Sequence, residues 1–338
     1  MPPKGSILII CLWIMLLLSM FAVGLGRRAA INLKLARYQR DSLKARYLAL
    51  AGVNLAAEVI KGIPQDRVYL TQTWSTGLDK DNKEIFKNIK LEENSSDACN
   101  ISPYSYDDKH EYYLRDEERK INLNYAAENE LAKLAAYMDP RVNSVDARQI
   151  AKDIRVWRGD TDPNLNPEDE KYKDFKKSHF KVNAELLTVL KYFYAAKGGG
   201  YQELAYDAYE NSGDLATVYG GGKVNINTVD EKALDILLSC GAEQATGASL
   251  QDAQGLLEKI MDYRSKGGTF TDINLKDILA KPSDPQINII DVIKTKIDIK
   301  SDNFRLISEG ITAHSGTSRR IECVINRSGL KIAYWHEN

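Results

Sequence analysis

The sequence predicts an α+β fold in which a long N-terminal helix packs on an antiparallel sheet and a large all-helical domain is inserted into the sheet domain. Three observations support this prediction. A charge-free apolar run near the amino terminus continues into a helical pattern, β-favouring stretches separated by turn residues end the chain, and the patterns from about 125 to 299 are mostly helical.

The composition is that of a folded protein. The chain has 338 residues, which favours about two domains, and its charged fraction of 28% and hydrophobic fraction of 43% argue against disorder. The net charge of −1 provides no basic excess for a dedicated nucleic-acid binder. The four cysteines form no CxxC pair, so a zinc site is not expected, and the sequence leaves open a disulfide between two of Cys99, Cys240 and Cys323.

The apolar run covers 6–26 and reads SILIICLWIMLLLSMFAVGLG, without a charged residue. About 20 apolar residues cross the hydrocarbon core as a helix, so we expect a single membrane span. No proline follows before Pro64, and we predict one helix over 6–61, on the order of 85 Å long at about 1.5 Å per residue. Six apolar residues at helical spacing predict the face that packs on the globular part: Leu43, Tyr47, Leu50, Val53, Ala57 and Ile60.

Three kinds of N-terminal segment fit such a run. A secretory signal peptide would have a shorter apolar core and an A-x-A-like cleavage site, and a plain signal anchor would stay uncleaved. In a prepilin leader, cleavage between Gly5 and Ser6 would retain the span, and the long helical continuation favours this interpretation. The positive-inside rule does not fix the orientation, because Lys4 and the amino terminus precede the span and Arg27 and Arg28 follow it.

The last part of the chain has the pattern of an antiparallel meander. Ser315-Gly316 and Ser328-Gly329 mark its turns. The predicted strands are 304–312, 318–326 and 330–335. The region 63–110 is polar and rich in turn residues, so we expect loops there with one or two short strands.

The helical region contains an internal repeat. KINLNYAAENEL at 120–131 aligns with KVNINTVDEKAL at 223–234, and each copy later reaches a helix that ends in an aromatic–Arg pair, at 146–158 and 252–264. Asparagine side chains can bond nearby backbone groups and fix the turn into a helix.

Two interpretations of this repeat remain. In the first, its polar residues shape turns, and Asn124 or Thr228 serves as a helix N-cap. In the second, the repeat is a helix-hairpin-helix DNA-binding module, which would need a glycine-rich hairpin that holds phosphate. The corresponding turns read MDPRVNSVD and CGAEQATGAS and contain no such hairpin, which favours the first interpretation.

The sequence contains no convincing catalytic set. No G-x-S-x-G or P-loop pattern occurs, and the four histidines are isolated from one another, so we expect no enzyme. An acidic stretch at 158–170 is a candidate calcium site because four oxygen-bearing side chains alternate along it, although the full EF-hand pattern is missing. These residues are Asp160, Asp162, Asn164 and Asn166. The alternative is a solvated acidic loop.

A series of short motifs along nearly the whole chain points to one family. They are Lys4-Gly5 and Leu12-Trp13 at the span, residues 45–53 in the helix, 116–124 and 224–228 at the repeat, 153–170, 301–304, and Tyr334-Trp335. In this order and spacing the chain resembles the type II secretion system minor pseudopilin K, also called general secretion pathway protein K. Similar turns also occur in DNA-binding competence proteins, so the combination carries the resemblance.

The resemblance implies a type IV pilin-like fold with the helical domain inserted in it. It also implies cleavage by prepilin peptidase between Gly5 and Ser6, with methylation of the new amino terminus. The implied division is a leader at 1–5, a transmembrane part at 6–26, a periplasmic helix at 27–62, the first part of the pilin domain at 63–124, the inserted domain at 125–299 and the last strands at 300–338.

The family also implies a role. Most pilins carry glutamate at mature position five, whereas Ile10 occupies it here, as is typical of the K subunit. A carboxylate in lipid without a partner is expensive, and the first subunit of a filament has no subunit ahead of it. The resemblance therefore implies a cap of the pseudopilus tip, anchored once in the inner membrane with its globular part in the periplasm.

The implied partners are minor pseudopilins I, J and H, the inner-membrane assembly platform, prepilin peptidase and exported proteins, with calcium in the helical domain and no nucleic acid. Two alternatives remain: a membrane-tethered helix-hairpin-helix-like DNA-binding protein of competence, and a minor pilin of a type IV pilus.

Overall fold

The computed structural model describes residues 6–107, 110–162, 165, 167–198, 202–273, 275–279 and 284–338. Its helices are α1 (Ser6–Lys61), α2 (Thr73–Thr76), α3 (Glu128–Met138), α4 (Ser144–Trp157), α5 (Glu185–Ala195), α6 (Gln202–Ser212), α7 (Glu231–Gln244), α8 (Leu250–Ser265), α9 (Lys276–Leu279) and α10 (Gln286–Ile293). The bounds of α1 are those predicted for the N-terminal helix. Two short 3₁₀ helices cover Glu117–Arg119 and Glu170–Tyr172.

The strands form one antiparallel sheet and several short ladders. They are β1 (Ala98–Ile101), β2 (Tyr104–Asp107), β3 (His110–Tyr112), β4 (Arg115–Asp116), β5 (Ile121–Asn122), β6 (Ala216–Thr217), β7 (Val224–Asn225), β8 (Ile297–Asp298), β9 (Asn303–Ile311), β10 (Ser318–Asn326) and β11 (Lys331–Glu337). The five-stranded sheet has the order β1-β9-β10-β11, and β4 also pairs with β9. The predicted meander at the end of the chain is confirmed as β9, β10 and β11.

The first half of α1 is bare. Its large apolar side chains from Ile7 to Leu25 are exposed, and its most apolar 18-residue window has a mean hydropathy of 2.8 with none of it buried. An α-helix that is apolar all round belongs in a nonpolar environment. This helix is long and apolar enough to cross a membrane once.

The second half of α1 packs on the sheet with only part of the predicted face. Val53 and Ile60 are buried and Leu50 and Ala57 are partly buried against the same core, as expected, but Leu43 and Tyr47 are 51% and 54% exposed. The buried face consists largely of small residues, with a few larger ones between them: Ala45, Leu48, Ala49, Gly52, Val53, Ala56 and Ile60. The periodicity of large apolar residues therefore pointed to the wrong part of the helix surface near its middle.

The small residues allow an unusually close approach between α1 and β9. Ser308 Oγ donates a hydrogen bond of 2.8 Å to the carbonyl oxygen of Ala49. A methyl group placed on Gly310 would lie 2.0 Å from the carbonyl oxygen of Ala45, and one on Gly52 would lie 2.2 Å from Ser308 Oγ. Backbone therefore packs against backbone where the helix crosses the strand.

The chain leaves the sheet after β4, forms the helical domain, and returns to the sheet at β9. The buried apolar side chains of this domain, from Ile121 to Ile297, form one core that also includes Val324 of β10, and a smaller core lies between α1 and the sheet. In the smaller core the rings of Trp74 and Phe304 meet edge to face, with centroids 5.1 Å apart.

The close crossing predicts a severe cost for adding one methyl group at Gly310. We expect Gly310→Ala to lower the free energy of unfolding by about 1–3 kcal/mol, because the helix and the strand must separate to admit the methyl group. Thermal denaturation of the full-length chain in detergent would measure this. Gly62→Ala is the control, because a methyl group there would make an ordinary 3.4 Å contact with the carbonyl oxygen of Val59. Equal melting temperatures for the two variants would contradict the packing argument.

Candidate functional site

Five consecutive charged residues lie buried where the chain passes from the sheet into the helical domain. Their exposed fractions lie between 0% and 8%. They are Asp116, Glu117, Glu118, Arg119 and Lys120. Charged side chains are seldom fully buried unless they are paired, so each of them needs partners within the protein. We call this set the junction cluster.

Asp116 joins three segments of the chain. Its carboxylate accepts hydrogen bonds from Thr228 Oγ1 at 2.5 Å and Ser301 Oγ at 2.6 Å. It also accepts the backbone N–H of Glu118 at 2.8 Å and so caps the 3₁₀ helix that follows. Burial nevertheless raises the pKa of Asp116, against the effect of these donors. Thr228 was a predicted N-cap, but Asp230 caps α7 and Thr228 instead bonds the cluster.

Glu117 is the carboxylate of the junction cluster that pairs with cations. Its carboxylate lies 3.2 Å from Lys120 Nζ and 2.6 Å from Arg305 Nε, and it accepts a 2.5 Å hydrogen bond from Thr217 Oγ1. Burial opposes its charge, but the two cations and the hydrogen bonds outweigh burial and lower the pKa of Glu117 to about 2. Burial lowers the pKa of Lys120 to about 8, partly offset by Glu117.

Glu118 ties the start of β9 to the junction. Its two carboxylate oxygens accept hydrogen bonds from the backbone N–H of Asn303 at 3.0 Å and from Asn303 Nδ2 at 2.6 Å. Burial and the neighbouring charge of Asp116 raise the pKa of Glu118 well above its usual value. The acidic residues of the cluster thus differ in their pKa shifts because only Glu117 is directly paired with cations.

The second asparagine of each repeat copy clamps a distant phenylalanine backbone. Asn124 Oδ1 accepts the N–H of Phe180 at 2.7 Å while its Nδ2 donates to the carbonyl oxygen of the same residue at 3.0 Å. Asn227 makes the same two bonds to Phe270, with the same lengths of 2.7 and 3.0 Å. Asn124 was also a predicted N-cap, and that prediction is wrong, because Ala127 precedes α3.

Other contacts repeat in the same way. Arg158 and Arg264, from the two aromatic–Arg pairs, each donate through Nη1 to a backbone carbonyl oxygen just before the first helix of the same copy, at Ala126 and Val229 respectively. Each copy also begins and ends in a two-residue parallel ladder, β5 with β6 and β7 with β8. The predicted repeat is therefore a repeat of structure as well as of sequence.

The predicted calcium loop is only partly described. Asn164 and Asn166 lie outside the described residues. Asp160 bonds Arg158 Nε at 2.7 Å and Arg155 Nε at 2.9 Å, and Asp162 bonds Arg155 Nη2 at 2.8 Å. A cation at this loop would compete with the two guanidinium groups for the same carboxylate oxygens.

Other predicted site residues are scattered. Gly5 lies outside the described residues, Ser6 is the first residue of α1, and Ile10 is 55% exposed on the bare half of the helix. Among the residues that the structure describes, no three His, Cys, Asp or Glu side chains come together as a metal site. The four cysteines are free thiols, and burial raises the pKa of Cys240 and Cys323 to about 12, which keeps these two unreactive.

The lowered pKa of Glu117 predicts an acid-sensitive contribution to stability. A carboxyl group with a depressed pKa stabilises the fold above its unfolded-state value, here 4.5, and this contribution is lost as the pH falls towards about 2. We expect Glu117→Gln to lower the free energy of unfolding at pH 7 by on the order of 3 kcal/mol, with the difference from wild type shrinking towards pH 2.

Denaturation curves of the full chain across this pH range would measure the effect. Asp116 and Glu118 titrate in both proteins, with the opposite sign because their pKa values are raised, so they cancel in the difference. The control is Glu58→Gln, which removes a surface pair with Lys61 and should change stability by less than about 1 kcal/mol at every pH. A pH-independent effect of Glu117→Gln would contradict the assignment.

The calcium site remains a prediction with a direct test. If the loop binds calcium, Asp160→Ala and Asp162→Ala should each weaken binding to the full chain by about tenfold or more, because each removes a charged oxygen ligand. Isothermal calorimetry would measure the affinity. Asp146→Ala, at an acidic residue outside this loop, is the control. Unchanged calcium affinity in both loop variants would rule out these ligands.

No protein-family model matches the chain, and no curated protein matches it in sequence. Among solved structures, it is similar to a chain in the crystal structure of the GspK-GspI-GspJ complex from the type 2 secretion system of enterotoxigenic Escherichia coli. The match covers 92% of this chain and 99% of that chain, with a TM-score of 0.55 and 17% identity. The comparison thus confirms the predicted α+β pilin-like fold with its inserted helical domain.

Proposed function

We propose that the chain is a minor pseudopilin of a type II secretion system, equivalent to the K subunit. The observation that carries this proposal is the fold over nearly the whole chain: a helix with a bare apolar half, an antiparallel sheet on its other half, and a helical domain inserted between β4 and β9. The fold is similar to that of a chain from the GspK-GspI-GspJ complex over 92% of this chain. The function is structural rather than enzymatic.

The position of the helical domain supports a role at the tip. The backbone N–H of Val68, just beyond the end of α1, donates to the carbonyl oxygen of Ile299 at 2.8 Å, and Asn225 Nδ2 donates to the carbonyl of Val68 at 3.1 Å. The opposite end of the sheet meets the middle of α1, where Arg319 Nε bonds Ser42 Oγ at 2.7 Å. The helical domain therefore adjoins the end of α1 farthest from the apolar span, where its bulk would block the next subunit.

The same proposal includes the partners and the location. The chain assembles with the I and J subunits of its own system, together with H and the inner-membrane assembly platform. Prepilin peptidase cleaves between Gly5 and Ser6, the apolar half of α1 is held in the inner membrane, and the globular part lies in the periplasm. Exported proteins meet the tip that this subunit caps.

The internal geometry of the repeat counts against the DNA-binding alternative. Asn124 and Asn227 are 8% and 4% exposed, and their amide groups are occupied by the backbone of Phe180 and Phe270. They are therefore directed into the helical domain and not towards a phosphate backbone. A minor pilin of a type IV pilus would share the pilin-like part of the fold, and the genes beside this one, in particular a secretion ATPase and an outer-membrane secretin, would distinguish the two.

Ile10 gives the proposal a mutational test. In a tip subunit, Ile10→Glu places a carboxylate in lipid with no subunit ahead to pair with it, which costs up to about 3 kcal/mol. We expect the variant, coexpressed with the I and J subunits, to be recovered with them several-fold less than wild type. Affinity purification from detergent extracts would measure recovery, with Ile10→Leu as the control.

Two results would contradict the proposal. Failure of the wild-type chain to copurify with either partner would exclude the K-equivalent role. Improved incorporation of the Ile10→Glu variant along filaments would instead assign the chain to the shaft, where the carboxylate finds the amino terminus of a neighbour.

A further inference from the structure

The segment between the apolar span and the globular part is an uncovered helix. Every residue of 27–40 is exposed, and the first buried residue of α1 is Asp41. Four large apolar side chains in this segment are each more than half exposed: Ile31, Leu33, Leu35 and Tyr38. We call residues 27–40 the stalk.

The stalk lies in the basic N-terminal part of the chain, whereas the remainder of the chain is acidic. The first acidic residue of the sequence is Asp41, while six basic residues precede it: Lys4, Arg27, Arg28, Lys34, Arg37 and Arg40. Residues 1–40 therefore carry a formal charge of +6, and the remainder carries −7, against −1 for the whole chain. Such an asymmetry indicates that the two parts meet different electrostatic surroundings.

The positive charges of the stalk are not neutralised within the described part of the chain. Arg27, Arg28, Lys34 and Arg37 form no ion pair there, whereas Arg40 bonds Asp41 at 2.9 Å and Lys44 pairs with Asp97 at 2.5 Å. Internal pairing thus begins where the globular part begins. An external anionic surface is the natural partner for the four charges before it.

The distances place these four charges near a membrane surface. At about 1.5 Å per residue, Lys34 lies about 12 Å and Arg37 about 16 Å beyond Gly26, the last residue of the apolar run. The headgroup layer adds about 5–8 Å to each side of the hydrocarbon core, and the Debye length is about 8 Å at physiological salt. Arg27 and Arg28 would lie among the headgroups, and Lys34 and Arg37 within reach of their field.

We propose that the stalk binds the headgroups of anionic phospholipids in the leaflet on the side of the globular part. This rests on the proposed function only in that the apolar run must lie in a membrane. Basic side chains interleaved with exposed apolar ones suit the headgroup region, and Ile31, about 8 Å beyond Gly26, lies at that level. The same surface repels the acidic globular part, so attraction and repulsion together hold that part away from the membrane.

A lipid-preference measurement on the full chain tests this inference. The chain is reconstituted in phosphatidylcholine nanodiscs that contain a small fraction of dansyl-labelled phosphatidylglycerol or of dansyl-labelled phosphatidylcholine. Energy transfer from the tryptophans of the chain, of which Trp13 lies in the apolar run, reports nearby labelled lipid. For wild type at low salt we expect about two- to threefold more transfer to the anionic label. The preference should disappear in 0.5 M salt, at which the Debye length is about 4 Å.

Matched variants locate the preference. Neutralising the stalk with Arg28→Gln, Lys34→Gln and Arg37→Gln should bring the ratio close to one. The control, Lys80→Gln, Lys83→Gln and Lys90→Gln, removes the same charge from exposed positions of the globular part and should leave the ratio unchanged.

Three outcomes would overturn the inference. A wild-type ratio of one would do so, as would an unchanged ratio in the stalk variant. Loss of binding to pseudopilin partners by the stalk variant, with lipid preference intact, would assign the stalk to an acidic protein surface. A separate measurement tests the membrane anchor of the proposed function. Release of the wild-type chain from phosphatidylcholine vesicles at alkaline pH would contradict that anchor. A chain that stays anchored but shows no preference for the anionic label would contradict only the lipid inference.

Discussion

The buried junction cluster is the constraint on which the rest of the structure depends. Removing charges from water costs several kcal/mol per ion even after relaxation, so every member of the cluster must find its partners if the chain is to fold. Those partners come from the sheet, both repeat copies and the segment that returns to the sheet, including Arg305, Thr217 and Ser301. A small displacement of the helical domain would leave a buried charge unpaired, and the cluster therefore fixes how the two hydrophobic cores are joined.

The repeat explains how a long insertion can be carried by so short a junction. In each copy a parallel ladder pairs the first and last strands, and an asparagine side chain bonds the backbone of a distant phenylalanine. An arginine also donates a hydrogen bond to the backbone carbonyl just before the first helix of the copy. The insertion begins and ends close to the same place, because Asp116 pairs with Phe304 between β4 and β9 and accepts a hydrogen bond from Ser301 Oγ. The sheet needs to provide only two crossing points, after β4 and before β9, and both lie beside the cluster.

The sequence predicted the elements better than their contacts. Long apolar periodicity, turn residues and β-favouring runs are local signals, and α1, β9, β10 and β11 were predicted to within about two residues. The contacts depend on residues that such signals overlook. Gly52 and Gly310 contribute to packing by lacking side chains, and the run from Asp116 to Lys120 has the composition of a solvated turn although its partners lie up to 188 residues away.

The site predictions failed or remained open for the same physical reason. Alternating Asp and Asn residues can bind a cation only if their oxygen atoms are not already paired with a basic side chain. Asp162 is paired with Arg155, which precedes the alternating pattern and is not part of it. Likewise, an asparagine near a helix start suggests a cap, whereas Asn124 reaches Phe180 across the domain. A polar side chain's role is decided by the partner that the fold brings to it.

The order of parts along α1 connects these features to assembly. The bare apolar half needs a nonpolar environment, and the stalk carries the unbalanced positive charge. The sheet packs on the helix through small residues, and the helical domain contacts Val68, just beyond the end of the helix. In the tip role that we propose, a subunit added beyond the far end would have to displace a domain held by buried ion pairs, whereas a subunit added below would meet exposed helix. Under that proposal, growth of a filament from this chain would be open in one direction only.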